Sequence, residues 1–181
     1  MRCVAKLLYD NGDVEADREI ITIEMGGKVH EMKINVRDGK VSSVTADMGA
    51  ISFDAAAVPV VFRDGSKQVI NRIIRKMDDD YRITCCSVGN PHCVIFMDNI
   101  DKIKIDKVGP SFENAGIFPE RTNTEFVRIV NRNTLRMRVW ERGNGETLAC
   151  GTGACAAVAA AVVNGRCDEG TDVTVKVRGG D

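Results

Sequence analysis

The stretch around Cys150 combines a thiol with a glycine-rich loop and a run of small apolar residues. Residues 141–154 read ERGNGETLACGTGA, and the alanine-rich run that follows predicts a helix over Ala154–Val163. The first amides of a helix have no intrahelical acceptors, and they lie at the positive end of the helix dipole. Gly151 and Gly153 lack side chains, so the backbone can approach an anion closely.

This arrangement predicts acid/base chemistry next to a bound carboxylate. The helix end should lower the pKa of the Cys150 thiol and favour the thiolate, which can act as a general base. A carboxylate bound by the amides of Gly151 and Thr152 would bring its α-carbon near the sulfur. Those donors would stabilise the negative charge that develops as the α-proton leaves. Inversion would then need a second acid on the opposite face. The alternative is that Cys150 is a small apolar residue packed before a helix, as buried cysteines often are.

Two further polar segments are candidates for a site. Gly89-Asn90-Pro91-His92 is a turn signal between two strand-like runs, and residues 120–125 are polar and lead into a strand. Glu141 and Arg142 leave a strand together. Taken alone, each of these could be a solvated loop or a surface pair, and Asn90 could serve turn geometry.

The elements that must position these residues alternate along the chain. The pattern predicts helices over Arg2–Asp10 and Ala154–Val163, and a third over Ile105–Asn114 in which Pro110 must lie near the first turn or break the helix. Hairpin turns are expected at Gly26-Gly27 and Asp38-Gly39. Apolar and β-branched runs predict these strands: Ile20–Met25, Val29–Val36, Val41–Ala46, Val58–Phe62, Ile83–Val88, Cys93–Met97, Glu125–Val130, Leu135–Trp140 and Val173–Val177.

An internal repeat is visible in these elements. Cys3 and Cys155 each lie in a helical run, and nineteen residues after each comes a threonine, Thr22 or Thr174, in a strand that is followed by a glycine pair. The matched spacing favours a duplicated unit, although short helix–turn–strand units are also common by chance.

Composition excludes several classes of protein. The net charge is −1, and the longest apolar run has ten residues, which argues against a nucleic-acid partner and a membrane span. The N-terminus has no leader signature, and the seven cysteines fit free thiols in a reducing compartment, so a cytoplasmic protein is expected. Cys150 and Cys155 lack a second close pair of ligands, so no zinc site is expected.

Taken together, these motifs resemble the diaminopimelate epimerase family. The matching segments are residues 89–94 (GNPHCV), 118–126 (FPERTNTEF) and 141–157 (ERGNGETLACGTGACAA), in the order of the family. The resemblance implies an α/β (α+β) fold, with mixed and antiparallel strands wrapped round a central helix. It implies an isomerase that uses paired cysteines without pyridoxal phosphate, metal or other cofactor. The implied reaction interconverts LL- and meso-diaminopimelate in lysine and peptidoglycan precursor biosynthesis.

The resemblance also implies roles for residues. Cys150 would be one of two acid/base cysteines, with His92 and Glu141 beside the reacting centre as further catalytic residues. The implied substrate-binding residues are Asn90, Asn123, Glu141, Arg142, Gly151 and Thr152. Arg142 is suited to a bidentate grip on a carboxylate.

The chain departs from the family at its start. The family has a Cys-Gly-Asn-Gly stretch, with the other catalytic cysteine, just before the position of Met1. We therefore expect residues 1–49 to be the remnant of a first epimerase domain, residues 50–181 to form a second, and the chain alone to be inactive. The partner expected is the small-molecule substrate, and self-association into a homodimer stays open. A proline racemase-like enzyme and a non-catalytic binding or structural fragment are the alternatives.

Overall fold

The computed structural model describes residues 1–25 and 28–180. The chain divides into two compact units, Met1–Gly49 and Ala50–Asp181. Each unit has a hydrophobic core of its own, built from apolar residues that alternate along its strands.

The first unit is a helix on a three-stranded antiparallel sheet. Its elements are α1 (Arg2–Asp10), β1 (Ile20–Met25), β2 (Lys28–Arg37) and β3 (Lys40–Ala46), and β2 is the central strand. Asp38 and Gly39 both have positive φ, which confirms the predicted two-residue hairpin. The turn predicted at Gly26-Gly27 lies outside the described residues.

The second unit contains a seven-stranded mixed sheet and two helices. The elements are β4 (Arg72–Lys76), β5 (Asp79–Ser87), β6 (Pro91–Phe96), α2 (Ile105–Glu113), β7 (Asn123–Asn131), β8 (Thr134–Glu141), β9 (Gly145–Thr147), α3 (Gly151–Val163) and β10 (Thr174–Lys176). The sheet order is β10-β8-β7-β6-β5-β4, and β9 pairs with β8. The β6–β7 and β8–β10 pairs are parallel and the others antiparallel, which confirms the mixed α+β class.

Helix α3 packs across the middle of this sheet. It contacts β5, β6, β7 and β8 through a face of small residues, all of them buried: Gly153, Ala156, Ala157, Ala160 and Ala161. Because these side chains are no larger than a methyl group, the helix axis can come close to the strands. The start of α3 is thereby fixed over the ends of β6 and β7, where the predicted site residues lie.

The strand predicted at Val58–Phe62 is wrong. Residues 55–59 form a turn, and residues 60–62 have no regular structure. In the turn, Asp54 accepts hydrogen bonds from the amides of Ala56 (to its side chain) and Val58 (to its carbonyl). Val58 and Val60 are nevertheless buried in the core. Apolar β-branched residues therefore mark burial here, while the aspartate decides the backbone conformation.

Helix α2 runs through Pro110, its sixth residue, and continues to Glu113. The expectation that Pro110 must lie near the first turn or break the helix is therefore wrong. Pro110 has no N–H, so the carbonyl four residues earlier, that of Asp106 in the first turn, lacks its usual helical donor. The helix ends soon afterwards at Asn114, whose side-chain amide donates to the Pro110 carbonyl.

Candidate active site at the start of helix α3

Cys150 is the N-cap residue of α3. Its backbone is extended (φ −133°, ψ 114°), and its Sγ accepts a hydrogen bond from the amide of Gly153 at 3.3 Å. The helix begins at Gly151, three residues earlier than predicted, because the Cys150 side chain caps it as a serine or aspartate commonly does. The thiol is partly buried.

The next two amides lack hydrogen-bond acceptors in the described part of the chain. Among the described residues, the N–H groups of Gly151 and Thr152 have no acceptor, as expected for the first turn of a helix. A methyl group at Gly151 would meet no atom within 4 Å. An anion can therefore reach these two donors beside the sulfur of Cys150.

Gly153 has a different purpose from Gly151. A Cβ at this position would lie 2.8 Å from Glu125 Oε1 and 3.2 Å from Cys150 Sγ. Gly153 therefore leaves room for two side chains of the protein itself, and the expectation that Gly151 admits an anion stays a prediction.

The expected lowering of the Cys150 pKa is wrong for this chain. Burial raises the pKa of the Cys150 thiol, and the negative charges of Glu125 and Glu141 raise it further. Hydrogen bonds from Thr152 and from the Gly153 amide lower it in part. The two donors do not offset the loss of water around the sulfur, so the resting group is the protonated thiol at neutral pH.

A continuous series of contacts links Cys150 to the sheet. Its Sγ lies 3.4 Å from Thr152 Oγ1, and Thr152 Oγ1 lies 3.4 Å from Asn90 Nδ2. Asn90 Oδ1 lies 3.0 Å from His92 Nε2, and His92 Nδ1 lies 2.7 Å from Glu125 Oε1. His92 and Glu125 are fully buried. The structure thus brings four of the residues predicted by the sequence together, and adds Glu125.

Glu125 was missed by the sequence analysis. It follows Asn123 by two residues on β7 and so shares its face of the sheet, where the register of β6 with β7 aligns Asn123 with His92. The available signal was a charged residue in the apolar run that continues with Phe126 and Val127, since such a charge needs a buried partner.

Asn123 joins two loops of the site. Its Nδ2 donates to the Pro91 carbonyl and its Oδ1 accepts from the amide of Arg142, both at 2.9 Å. The side chain is buried. In this structure Asn123 therefore braces the backbone beside Asn90 and at Arg142, and its substrate-binding role stays a prediction.

Glu141 and Arg142 lie at the end of β8. Glu141 Oε1 accepts from Thr147 Oγ1 at 2.5 Å, and the Arg142 guanidinium donates to the Glu120 carbonyl at 2.9 Å. Within the described part of the chain, Arg142 makes no ion pair, which leaves its charge available to an anionic ligand.

Glu113 on α2 is a second residue that could not be recognised from the sequence. Its side chain bonds to the turn that follows β8. Its nearly buried carboxylate accepts from the Gly143 amide (2.9 Å), from Trp140 Nε1 (2.7 Å) and from Arg121 (3.0 Å). The bonded residues Trp140 and Gly143 flank Glu141 and Arg142. Nothing in the sequence distinguishes this glutamate from a surface residue of an amphipathic helix.

The remaining expectations concern metals, disulfides and membranes. All seven cysteines are free thiols. Within residues 1–25 and 28–180, no three His, Cys, Asp or Glu side chains are grouped as metal ligands. In the same ranges, no helix has both the length and the apolarity needed to cross a bilayer.

Comparison with known proteins identifies the family. The family profile described as "Diaminopimelate epimerase" matches residues 84–181, which is more than half of the chain. The chain belongs to the diaminopimelate epimerase family. The matched segment contains every residue singled out above for the site, from Asn90 to Thr152.

Curated members of the diaminopimelate epimerase family are similar over the whole chain. The diaminopimelate epimerase of Agathobacter rectalis is 44% identical over 186 residues, and that of Desulfovibrio desulfuricans is 45% identical over 184. The one from Methanococcus maripaludis is 43% identical over 181 residues. These alignments cover 99–100% of this chain but 63–64% of the relatives, so the chain spans just under two thirds of their length.

Solved structures with the same fold are less similar to this chain in sequence than the curated relatives are. A hydroxyproline epimerase from Agrobacterium vitis has a TM-score of 0.67 at 16% identity, covering 98% of this chain and 54% of that one. A probable proline racemase from Agrobacterium radiobacter has a TM-score of 0.69 at 17% identity, and the match covers 99% of this chain and 55% of that one. At such low identity they show the fold alone.

Proposed function

We propose that this chain serves a cofactor-independent amino-acid epimerase that interconverts LL- and meso-diaminopimelate, with Cys150 as one of its two acid/base thiols. The observation that carries the proposal is the pairing of the Cys150 thiol with the two unbonded amides of Gly151 and Thr152 on an open side of the helix end. The family membership supports the substrate. In this proposal, residues 1–49 belong to a first epimerase domain and residues 50–181 form a second.

Substrate binding in this proposal begins with the carboxylate at the reacting centre. The amides of Gly151 and Thr152 bind it, and the helix dipole favours its charge. Arg142, Asn90 and Asn123 contact other polar groups of the substrate. The two amides also stabilise the charge that spreads onto the carboxylate when the α-proton leaves, which lowers the barrier to its removal.

Proton transfer requires one thiolate and one thiol on opposite faces of the α-carbon. One sulfur takes the α-proton and the other delivers a proton to the opposite face, so the charge is conserved and the centre inverts. Because burial raises the pKa of Cys150, this thiol is suited to deliver the proton. In the reverse direction it must ionise, and the ammonium group of a bound substrate would offset the negative charge of Glu141.

Alkylation of Cys150 tests the proposal. We expect LL- or meso-diaminopimelate to slow the reaction of Cys150 with iodoacetamide, measured by peptide mass spectrometry, whereas proline at the same concentration should not. The exposed Cys3 provides an internal control, since its rate should stay constant. Equal protection by proline would favour a proline racemase-like enzyme, and protection by neither would favour a non-catalytic fragment.

A second assay measures whether the polypeptide alone converts LL-diaminopimelate into the meso isomer. The 181-residue polypeptide supplies Cys150, while inversion needs a thiol on each face of the α-carbon. Incubation of the polypeptide alone with LL-diaminopimelate in heavy water should therefore yield no meso isomer. Inversion at the rate of a full-length relative would contradict the two-thiol mechanism.

A further inference from the structure

The buried pair formed by His92 and Glu125 has no role in the mechanism above. Both side chains are fully buried, and His92 Nδ1 lies 2.7 Å from Glu125 Oε1. The other carboxylate oxygen, Oε2, has no hydrogen-bond partner among the described residues. An acidic side chain in this position requires a physical reason, because burying an uncompensated charge is costly.

The pair is best described as electrically neutral. Burial raises the pKa of Glu125, while His92 lowers it in part. A carboxylate facing a neutral imidazole would leave one negative charge in the interior, close to Cys150 and Glu141. A neutral pair avoids this cost either as a carboxyl group with a neutral imidazole or as a carboxylate with an imidazolium.

A carboxyl proton on Glu125 Oε2 would have no acceptor among the described residues, so the proton of the neutral pair lies between Oε1 and Nδ1, and both such forms place a hydrogen on His92 Nε2. If the carboxyl group of Glu125 donates to Nδ1, the neutral imidazole carries its own hydrogen on Nε2. If the imidazole is protonated, both ring nitrogens carry hydrogens. In either case Nε2 donates to Asn90 Oδ1 at 3.0 Å.

That hydrogen sets the direction of every following hydrogen bond. With its Oδ1 turned to His92, Asn90 presents Nδ2 to Thr152 Oγ1 and donates to it at 3.4 Å. When Cys150 is a thiolate, which can only accept, the Thr152 hydroxyl donates its single hydrogen to Cys150 Sγ, 3.4 Å away. With the Gly153 amide at 3.3 Å, the sulfur then has two donors.

We propose that Glu125 is a positioning residue, which holds His92 so that the hydrogen bonds running through Asn90 and Thr152 all point toward the Cys150 sulfur. It acts through His92 and does not touch the substrate. The inference rests on the proposed function, in which Cys150 must exist in turn as thiol and thiolate. Two donors stabilise the thiolate without any rearrangement of the site.

The first test reads the His92 tautomer in the unmodified chain. The chain has two histidines, so a His30→Gln variant assigns the ring-nitrogen resonances of His92. In ¹⁵N spectra between pH 6 and pH 9, we expect His92 Nε2 to stay protonated throughout. An unprotonated Nε2 with a protonated Nδ1 reverses the chain of hydrogen bonds and overturns the proposal.

The second test reads the thiol with matched variants. The rate of alkylation of Cys150 is followed against pH, since Glu125 and Glu141 also act on the pKa of this thiol. Glu125→Gln can still donate to Nδ1, and we expect a rate within about twofold of the wild type. Both variants lose the carboxylate, whose charge itself raises the pKa of Cys150, so they are compared with each other. Glu125→Leu also removes the anchor, and we expect its rate to be about tenfold lower than that of Glu125→Gln at pH 8, as for a thiol pKa raised by one unit.

Thr152 provides an independent pair of variants. Thr152→Ser keeps the hydroxyl and should keep the alkylation profile, whereas Thr152→Val should lower the rate about tenfold at pH 8. A folded Glu125→Leu protein with the profile of Glu125→Gln contradicts the proposal. If that variant does not fold, the His92 tautomer and the Thr152 pair decide. Neither readout contains diaminopimelate, so failure of this substrate to bind would refute the proposed function and leave this inference standing.

Discussion

Gly153→Ala is the substitution whose effect follows most directly from the packing under α3. The added methyl group would lie 2.8 Å from Glu125 Oε1 and 3.2 Å from both Cβ and Sγ of Cys150. A glutamate at the surface could swing away, but Glu125 is fully buried and bonded to His92. Overpacking of this kind costs about 2 kcal/mol, while alanine gains about 1 kcal/mol over glycine in a helix. We therefore expect a net loss of about 1 kcal/mol in the free energy of unfolding.

Gly151→Ala is the matched control, because a methyl group there meets no atom within 4 Å. Its unfolding free energy should equal that of the wild type or exceed it by up to about 1 kcal/mol, because alanine also favours the helix here and nothing opposes it. Urea denaturation followed by fluorescence suits both variants, because Trp140 is the single tryptophan and lies in the same unit. If Gly153→Ala is as stable as Gly151→Ala, the account of contacts around Glu125 is refuted.

Three further predictions concern other buried polar groups. Glu113→Ala leaves the indole N–H of Trp140 without its acceptor, and we expect a loss of about 2–3 kcal/mol, with a shift of the fluorescence maximum, in urea denaturation. Arg138 is 9% exposed and donates to Glu146 and to the Ile100 carbonyl. Arg138→Ala leaves that carbonyl without its donor while Glu146 keeps its ion pair with Arg178, so we expect a loss of about 2–3 kcal/mol by the same assay, and a loss below about 1 kcal/mol would contradict this. Burial raises the pKa of the Cys86 thiol, so this thiol ionises at a lower pH in the unfolded chain than in the folded one. The free energy of unfolding should therefore be full below about pH 8 and fall as the pH rises above about 9. Calorimetry at several pH values should show a smaller fall for Cys86→Ala.

The helix that follows Cys150 could be predicted because its signals are local. Glycines precede a run of alanines and valines, and Asn164-Gly165 ends it, so composition alone gives the helix and its end. The start was misplaced by three residues since a cysteine side chain is an uncommon cap. Hydrogen bonding of a thiol to its own helix is a property of the folded loop and leaves little trace in the sequence.

Other features could not be predicted because they depend on contacts between distant residues. The hairpin of β4 and β5 turns through Met77 and Asp78, both with positive φ, where glycine or asparagine is the usual signal. The burial of Glu125 depends on His92, which lies on the neighbouring strand. The raised pKa of Cys150 has the same origin, since the helix end is visible in the sequence but the burial of the sulfur is not.

Binding at the start of α3 is the central claim, and the backbone amides report on it directly. In a ¹⁵N-labelled chain titrated with meso-diaminopimelate, we expect the amide resonances of Gly151 and Thr152 to shift saturably and to the largest extent. The Gly153 amide, which already donates to Cys150, should shift less. Saturable shifts confined to other parts of the chain, with Gly151 and Thr152 unchanged, would contradict the account.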